Sequence, residues 1–247
     1  MQKRTLLLWG CIFFLIIFTS AIFLALNAKQ SFDLNCQKKA GATSTLIIIP
    51  GSKAKIPPVF SSWFEKFYRA YGVETGNGDW AEELRNSLSD SPLNICIFSW
   101  SGGITQTFSI NPAAEKLAQM LEERNISSPL IFFGKSLGGL VAEKAITRLN
   151  NEKSIEKLIY VATPHASANR QLPEGLAIIN IFSPADRYLN LANKVLFWGQ
   201  GVTELEPGEN IEIPNLKHND FNLNVPIIYE GEKVLLFEFY RKIIQSS

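Results

Sequence analysis

Residues 134–138 read Gly134-Lys135-Ser136-Leu137-Gly138, the pattern G-x-S-x-G between an apolar run and a helical one. In a tight turn from strand to helix this pattern exposes the serine oxygen, and the two glycines let neighbouring chain pass close by. The N–H groups and the dipole of the following helix favour the negative charge that develops during acyl transfer. Ser136 is therefore the candidate nucleophile, and Gly134 and Gly138 are the candidate motif residues.

The same stretch contains Gly-Lys-Ser, which also ends a phosphate-binding loop. That loop has the pattern G-x-x-x-x-G-K-[ST], because a flexible backbone that starts at glycine must wrap the phosphates. Here the first position is Pro129, and the Leu-Ile-Phe-Phe that follows it should be buried in a strand. The phosphate-loop interpretation therefore fails. Lys135 is expected to be solvated or to lie just behind the reacting groups.

A serine hydroxyl needs a base, and the usual base is a histidine held by a carboxylate. The chain has only two histidines, His165 and His218. In one common arrangement the order along the chain is serine, acid and histidine, with the histidine after the last strand. His218 lies in IPNLKHNDF, after the last apolar run that predicts a strand. His218 is therefore the predicted base.

Asp186 follows the apolar run IINIFSPA and is the predicted acid, because a triad acid follows a later strand. An aspartate after a strand is also a common turn or helix N-cap residue, and this alternative stays open for Asp186. Asp220 is only two residues from His218, and we expect it to cap the following turn. The alternative acids on the loop before the histidine are Glu204, Glu206 and Glu209.

An oxyanion hole needs two N–H donors aimed at one point. The residue after the nucleophile, Leu137, is expected to give one. The second is expected from the loop after TLIIIPGS, where Pro50 and Gly51 let the backbone turn sharply. Ser52 is the predicted donor in that loop, and its neighbour Lys53 is the alternative.

Two further stretches are candidates for the wall of a substrate pocket. His165 lies in YVATPHASAN, whose loop should sit beside the serine, and its imidazole either bonds within its own loop or shapes the pocket. Phe197 and Trp198 lie in LANKVLFWGQGV, residues 191–202. Their side chains either accept an acyl chain or belong to a short core helix. Both alternatives stay open for each stretch.

The elements that must position these residues follow from the apolar runs. Short buried runs alternate with amphipathic ones from Thr43 onward, which is typical of a parallel sheet with helices on both faces. The predicted strands are 46–49, 95–99, 130–133, 158–162, 178–182 and 211–213. The predicted helices are one or two within 59–88, one that starts at Asn111-Pro112, one over 137–150 and one near 232–244. The sequence therefore predicts one α/β domain over residues 43–247, preceded by a polar tether over 29–42.

Residues 5–26, TLLLWGCIFFLIIFTSAIFLAL, carry no charge and can cross a hydrocarbon layer of about 30 Å as a helix. The run is longer than in a typical cleaved signal peptide, so an uncleaved anchor over residues 1–28 is favoured over a signal peptide. Lys3 and Arg4 should hold the N-terminus in the cytoplasm, although lysines behind the segment weaken this bias. The rest of the chain is then expected on the extracytoplasmic side, anchored to the membrane, or secreted if the segment is cleaved.

Composition narrows the classes of partner. The 247 residues carry 24 Lys and Arg against 23 Asp and Glu, so the net charge is close to zero. The chain therefore lacks the excess positive charge that attracts nucleic-acid phosphates, and no nucleic-acid partner is expected. With 2 His and 3 Cys the chain is short of ligands for a structural zinc site, and neither a metal nor a cofactor is expected. Cys11 lies in the apolar segment, so Cys36 either pairs with Cys96 or stays free.

Five stretches together resemble the α/β-hydrolase superfamily, in particular its lipase- and esterase-like members. They are LIIIPGS, IFFGKSLGGLVA, IYVATPH, the strand exit at Asp186, and LKHNDF. The resemblance implies an α/β-hydrolase fold: a mostly parallel sheet of about six strands flanked by helices, preceded here by the N-terminal transmembrane helix. Carried over by position, it makes Ser136 the nucleophile, Asp186 the orienting acid and His218 the base, with Leu137 and Ser52 as oxyanion donors.

The sequence departs from the family pattern in two places. Many members begin the oxyanion loop with His-Gly, whereas this chain has Pro50-Gly51. Many also carry a helical cap between the later strands, but here only about fifteen residues separate Ala162 from Ala177, which implies a minimal cap or none. The resemblance implies a serine hydrolase that cleaves a small-molecule or lipid-like carboxylic ester through a Ser-His-Asp triad. A thioesterase, acyltransferase or peptidase would use the same triad. A non-catalytic binding protein of this fold is the alternative from another class.

Overall fold

The computed structural model describes residues 31–51, 79–100, 106–150, 153–166, 172–196 and 201–246. The strands in chain order are β1 (Phe32–Gln37), β2 (Ser44–Ile49), β3 (Leu93–Trp100), β4 (Leu130–Lys135), β5 (Ile155–Val161), β6 (His165–Ala166), β7 (Ala177–Phe182), β8 (Gly201–Val202), β9 (Glu209–Glu212), β10 (Pro226–Tyr229) and β11 (Glu232–Leu235). The helices are α1 (Trp80–Ser87), α2 (Gln106–Glu123), α3 (Leu137–Ile146), α4 (Arg187–Leu196) and α5 (Leu236–Gln245). Each of the six predicted strands coincides with an observed one.

The main sheet has seven strands in the order β1-β3-β2-β4-β5-β7-β9. Its strands pair in parallel except for β1, which runs antiparallel to β3. The carboxyl ends of the parallel strands therefore share one edge, called the carboxyl edge below. β3 lies on one side of β2 and β4 on the other, so the chain changes direction across the sheet there, and ligands of open α/β sheets bind outside such a switch point. The predicted α/β architecture with a mostly parallel sheet is confirmed, with seven strands instead of about six.

Helices cover both faces of this sheet. α1 and α5 pack on one face in a core cluster that includes Leu84, Phe133 and Tyr240. α2 and α3 pack on the other face in a cluster that includes Leu117 and Phe132. Neighbouring residues of β4 thus pack into the cores on opposite faces of the sheet, because side chains alternate along a strand. Both β2 and β4 are buried along their whole length, as continuous apolar runs predict.

β1 lies inside the stretch 29–42 that was predicted to be a tether, and for residues 32–37 that prediction is wrong. The strand buries Leu34 and leaves Asn35 exposed, the period-two pattern of an edge strand. Cys36 pairs with Cys96 in the strand register, and a disulfide joins the two. Of the alternatives for Cys36, the pairing with Cys96 is therefore the one observed.

The predicted start of the second helix at Asn111-Pro112 is also wrong. α2 already includes Gln106, and Pro112 lies inside it. Ile110 and Ala114 are both buried, so the buried stripe of the helix continues across the proline. Packing of this stripe offsets the hydrogen bond that a proline removes from a helix interior.

The predicted C-terminal helix near 232–244 begins later than expected. A hairpin of β10 and β11 precedes it, and α5 begins only at Leu236. The hairpin turn is Glu230-Gly231, and both residues have positive φ, 53° and 82°. Two consecutive positive φ angles fit the two-residue turn whose twist matches paired strands. The sequence analysis missed this turn because the pair is not the usual Asn-Gly or Asp-Gly.

The predicted membrane anchor over residues 1–28 lies outside the described residues, as do most of the residues of the predicted helices within 59–88. Among the helices of the described ranges, none is both long and apolar enough to span a bilayer. Between β5 and β7, the described residues 162–166 and 172–176 contain only the two-residue strand β6.

Candidate active site

The turn after β4 holds Ser136 in a strained backbone conformation. Its φ is 52° and its ψ is −131°, and such a conformation costs a residue with a side chain about 1 to 3 kcal/mol. Two backbone hydrogen bonds fix the turn: the Ser136 N–H donates to the carbonyl of Val161 over 2.9 Å, and the Gly139 N–H donates to the carbonyl of Ser136 over 3.0 Å. Because α3 begins at Leu137, the serine lies at a helix N-terminus. This is the geometry of a nucleophile elbow.

The glycines of the motif are required because backbone passes too close for a side chain. A Cβ on Gly138 would lie 2.1 Å from the carbonyl oxygen of Ile49, and a Cβ on Gly134 would lie 2.4 Å from Cα of Gly139. Both distances are far inside van der Waals contact. The first turn of α3 therefore packs directly on the ends of β2 and β4, which holds Ser136 at the carboxyl edge.

Ser136, His218 and Asp186 form one hydrogen-bonded chain at this edge. Nε2 of His218 lies 3.1 Å from Oγ of Ser136, and Nδ1 of His218 lies 2.8 Å from Oδ2 of Asp186. All three side chains are buried, with exposed fractions of 7%, 4% and 0% for the serine, histidine and aspartate. An imidazole in this position can accept the hydroxyl proton at Nε2 while its Nδ1–H donates to the carboxylate.

Asp186 makes the hydrogen bonds of both alternatives that the sequence left open. While Oδ2 accepts from His218, Oδ1 accepts a hydrogen bond from the backbone N–H of Leu189 over 2.8 Å and so caps the start of α4. The cap fixes the orientation of the carboxylate that faces the imidazole. Asp220 accepts a hydrogen bond from the backbone N–H of Lys217 over 2.7 Å, as expected for a residue that caps a turn. The alternative acids occupy exposed positions: Glu204, Glu206 and Glu209.

Lys135 is buried, with 4% of its surface exposed, so the expectation of a solvated side chain is wrong. It is the last residue of β4, and alternation along the strand puts it on the face of Ile131 and Phe133. The loop that carries His218 lies on this face too, because its Phe221 belongs to the same core cluster. Lys135 therefore lies behind the reacting groups, the other alternative from the sequence.

Burial and charge together shift the ionisation of this region. Burial lowers the pKa of the Lys135 ammonium to about 8, although the Asp186 carboxylate opposes the shift. Burial is also the main cause of a lowered pKa for His218, and the positive charge of Lys135 lowers that pKa further. The hydrogen bond and the charge of Asp186 act in the opposite direction. The lowered pKa favours the neutral imidazole, the form that can accept a proton.

The predicted oxyanion loop is described only at its start. Leu137 is buried at the start of α3, while Ser52 and Lys53 lie outside the described residues. Gly51, directly before them, approaches the serine: a Cβ on it would lie 3.2 Å from Cβ of Ser136. The loop after β2 therefore starts beside the candidate nucleophile, where the second donor is expected.

His165 belongs to a buried polar network. Its backbone N–H donates to Oδ1 of Asn193 over 3.0 Å, its Nε2 lies 3.3 Å from Oδ1 of Asn180, and its ring packs edge-on against Tyr160 with centroids 4.6 Å apart. Its partners thus come from β5, β7 and α4. Phe197 and Trp198 lie outside the described residues. Within the described ranges, no three His, Cys, Asp or Glu side chains are grouped as metal ligands would be.

Two residues at the site were missed by the sequence analysis. The ring of Tyr188 lies against the imidazole of His218, with centroids 4.5 Å apart. The indole Nε1–H of Trp100 donates to the carbonyl of Pro50 over 2.8 Å. Tyr188 had one available signal, since it lies two residues after the predicted acid. Trp100 had none, because its contact depends on which strands are neighbours.

No protein-family model and no curated protein matches this sequence. Solved structures match it by fold. A CIB-like hydrolase from Thermoplasma acidophilum aligns over 87% of this chain and 91% of its own length, with a TM-score of 0.50 and 11% identity. An α/β serine hydrolase without a lid from Xanthomonas campestris aligns over 88% and 91%, with a TM-score of 0.46 and 13% identity. A dienelactone hydrolase from Anabaena variabilis aligns over 76% and 82%, with a TM-score of 0.48 and 14% identity.

The first of these matches agrees with the features described above. It shares the fold over nearly the whole of both chains. The strained turn between β4 and α3 is the strand-to-helix turn of that architecture. The chain therefore has the α/β-hydrolase fold, the fold that the resemblance of the sequence implies.

Proposed function

We propose that this protein is a serine hydrolase that cleaves carboxylic esters through a covalent acyl-enzyme. The observation that carries the proposal is the hydrogen-bonded chain from Ser136 through His218 to Asp186, with the serine in a strained turn at a helix N-terminus. A structural serine needs neither this backbone conformation nor a histidine base. A strained conformation at the meeting point of three polar side chains favours catalysis over a merely structural role.

The proposed reaction has two steps. His218 takes the proton of Ser136 at Nε2 while Oγ attacks the ester carbonyl, and the protonated imidazole then gives that proton to the departing alcohol. Water loses a proton to His218 and attacks the acyl-enzyme, and the proton returns to Ser136 as the carboxylic acid leaves. The net reaction adds one water to one ester and gives one acid and one alcohol. No cofactor takes part.

Three groups assist the chemistry in this proposal. Asp186 keeps the Nδ1–H tautomer of His218 and stabilises the imidazolium without accepting its proton. The oxyanion of each tetrahedral intermediate is bound by the N–H groups of Leu137 and of Ser52, with Lys53 as the alternative second donor. The partly exposed ring of Tyr188 covers one side of the imidazole, which restrains its orientation.

The proposal places the enzyme on the extracytoplasmic side of a membrane, anchored by residues 5–26. The charge-free apolar segment supports the anchor. The disulfide between Cys36 and Cys96 supports the compartment, because such bonds persist outside the reducing cytoplasm. The substrate is expected to be a small-molecule or lipid-like ester.

Active-site labelling tests this function. The full-length protein should react with a fluorophosphonate probe at Ser136, as located by peptide mass mapping, and a hydrolysable ester added first should compete. A panel of ester, thioester and amide substrates with one common acyl group then defines the reaction, and turnover of the ester is expected to exceed that of the other two. Failure of Ser136 to label in the folded protein would point to a non-catalytic binding protein. A clear preference for the thioester or the amide would contradict the ester assignment.

A further inference from the structure

The antiparallel strand β1 determines where the N-terminal segment joins the domain. Phe32, the first residue of β1, is opposite Trp100, the last residue of β3. β3 runs parallel to β2, and β2 runs parallel to β4, after which Ser136 follows. The chain that precedes Phe32 therefore approaches the domain at the carboxyl edge, the edge that holds Ser136.

The strand register shows how near this entry point is to the serine. One row of paired residues crosses the four strands β1, β3, β2 and β4: Asn35, Ile97, Ile48 and Phe133. Phe32 and Ser136 each lie three residues from this row toward the carboxyl edge. They are thus level with each other and three strand spacings apart, which is about 14 Å at the usual spacing between strands.

The connection to the apolar segment is short. Only residues 27–31 lie between that segment and Phe32, and five fully extended residues span at most about 18 Å. A domain of about 200 residues is roughly 40 Å across. The connection is therefore shorter than half the domain, and a bilayer that holds residues 5–26 lies next to the carboxyl edge and not the opposite one.

Exposed apolar side chains of the described residues also lie toward the same edge. Among the described residues, the large apolar side chains that are exposed are Leu223 (48%), Ile228 (61%) and Leu235 (39%). They lie in and just before the hairpin that joins the His218 loop to α5. α5 ends near the amino end of β5, where Nζ of Lys157 donates to the Ile243 carbonyl, so its first turn lies toward the carboxyl edge. Leu235 directly precedes this turn, and Leu223 directly precedes Asn224, whose Oδ1 accepts a hydrogen bond from the Phe237 N–H of the turn. The far end of the hairpin lies along α5 instead, because Tyr229 packs on Phe239.

We propose that the carboxyl edge faces the bilayer and that the ester substrate is an amphiphile drawn from it, with its acyl chain in the lipid and its ester near the headgroups. The inference rests on the proposed hydrolase function and names the substrate class of that site. Its occupant is the lipid surface, because the entry point at Phe32, the short connection and the exposed Leu223 and Leu235 all lie at that edge. Water for the second step enters from the aqueous side.

The length of the connection tests the substrate class. The full-length protein is reconstituted in phosphatidylcholine vesicles, with and without about 20 added Gly and Ser residues between Gln30 and Ser31. The insert makes the connection between the apolar segment and Phe32 about fivefold longer. The effective concentration of the carboxyl edge at the lipid surface then falls about tenfold. We expect this loss for a long-chain fluorogenic ester in the bilayer and an unchanged rate for a soluble butyrate ester. The same insert between Met1 and Gln2 is the matched control and should change neither rate. Equal rates on the bilayer ester with and without the insert would overturn the proposal.

A second measurement reads the orientation without any catalysis. Leu223→Cys at the carboxyl edge and Asp90→Cys in the turn before β3, at the amino end, are each labelled with a fluorophore in a Cys11→Ser background. Lipid-borne nitroxides should quench the label at position 223 and not the one at position 90. Equal or reversed quenching, or release of the first 28 residues seen by mass spectrometry, would overturn the orientation. Quenching as expected in a protein that hydrolyses no ester would overturn the hydrolase function and the substrate class while the orientation stands.

Discussion

The indole Nε1–H of Trp100 donates a hydrogen bond to the carbonyl oxygen of Pro50 over 2.8 Å. Trp100 ends β3, and Pro50 follows β2, so the bond ties together two strand ends at the carboxyl edge. Gly51, the next residue, lies against Ser136. The position of the loop beside the nucleophile thus depends on a side chain from a neighbouring strand.

Trp100→Phe should therefore impair the reaction more than it impairs the fold. The variant keeps an aromatic ring but loses the bond that holds the loop, and a loss of about 1.4 kcal/mol in transition-state stabilisation lowers kcat about tenfold. KM should change little. Trp80→Phe is the matched control, because Trp80 is also buried but packs against Phe133 in the core under α1. Equal kcat values for the two variants would show that Trp100 is only a core residue.

Asp186→Asn should lower kcat by about 10⁴-fold, because the amide no longer selects the Nδ1–H tautomer of His218. The matched control is Asp220→Asn, which removes a carboxylate two residues from the same histidine whose hydrogen bond goes to the Lys217 backbone. That control should keep kcat within about twofold, since it costs only a turn hydrogen bond of about 1 kcal/mol. Steady-state ester hydrolysis distinguishes the two, and a larger loss in the Asp220 variant would reverse the assignment.

Gly138→Ala should destabilise the fold and displace the helix that begins at Leu137. Its new Cβ would lie 2.1 Å from the Ile49 carbonyl oxygen, so backbone must shift, at a cost of about 3 kcal/mol or more. Gly175→Ala is the control: its φ is +78° but nothing lies within 4 Å, so only backbone strain of about 1 to 2 kcal/mol is expected. Urea unfolding measures both, and similar losses would contradict the close contact at Gly138.

Lys135→Met should change how stability depends on pH. The pKa of Lys135 is about 8 in the folded protein and 10.5 as its ordinary value. Between these values the unfolded chain binds a proton that the folded chain lacks, so wild-type stability rises with pH there, by about 3 kcal/mol in all. Lys135→Met should be more stable at pH 7 and lack this rise. Unfolding free energies from pH 7 to 10.5 provide the test, and the same rise in both proteins would exclude Lys135 as its origin.

The same substitution gives a second, kinetic prediction. His218 must be neutral to act as base, and its lowered pKa extends the plateau of wild-type kcat/KM to more acidic pH than an ordinary imidazole would allow. The positive charge of Lys135 contributes to that lowering. Without the charge the pKa of His218 rises, so the acidic limb of the kcat/KM profile should move to higher pH. A limb that stays in place would show that Lys135 does not act on the imidazole.

Sequence patterns predicted the parts of this fold that rest on local chemistry. Continuous apolar runs such as residues 46–49 and 130–133 indicated buried parallel strands because both sheet faces are covered. The strand β1 was missed because its alternation, with Leu34 buried between polar neighbours, is short and resembles a polar segment. The Glu230-Gly231 turn was missed because positive φ at a glutamate has no strong sequence signal.

The residues of the candidate site also fall into those that the sequence predicted and those that it did not. Ser136 was predicted from its motif, and His218 and Asp186 were predicted because the chain offers few other bases and acids. Lys135 and Trp100 were beyond such reasoning. The burial of Lys135 depends on how the loop after β9 folds over its face of the sheet, and the bond of Trp100 depends on β2 and β3 lying side by side.

The most direct test of the central claim is ester turnover by Ser136→Ala. The variant removes one oxygen at a buried site and should keep the circular dichroism spectrum and unfolding midpoint of the wild type. We predict that kcat toward short p-nitrophenyl esters falls by about four to six orders of magnitude. Hydrolysis by the purified variant at the wild-type rate would contradict the assignment of Ser136 as nucleophile, and with it the proposed function.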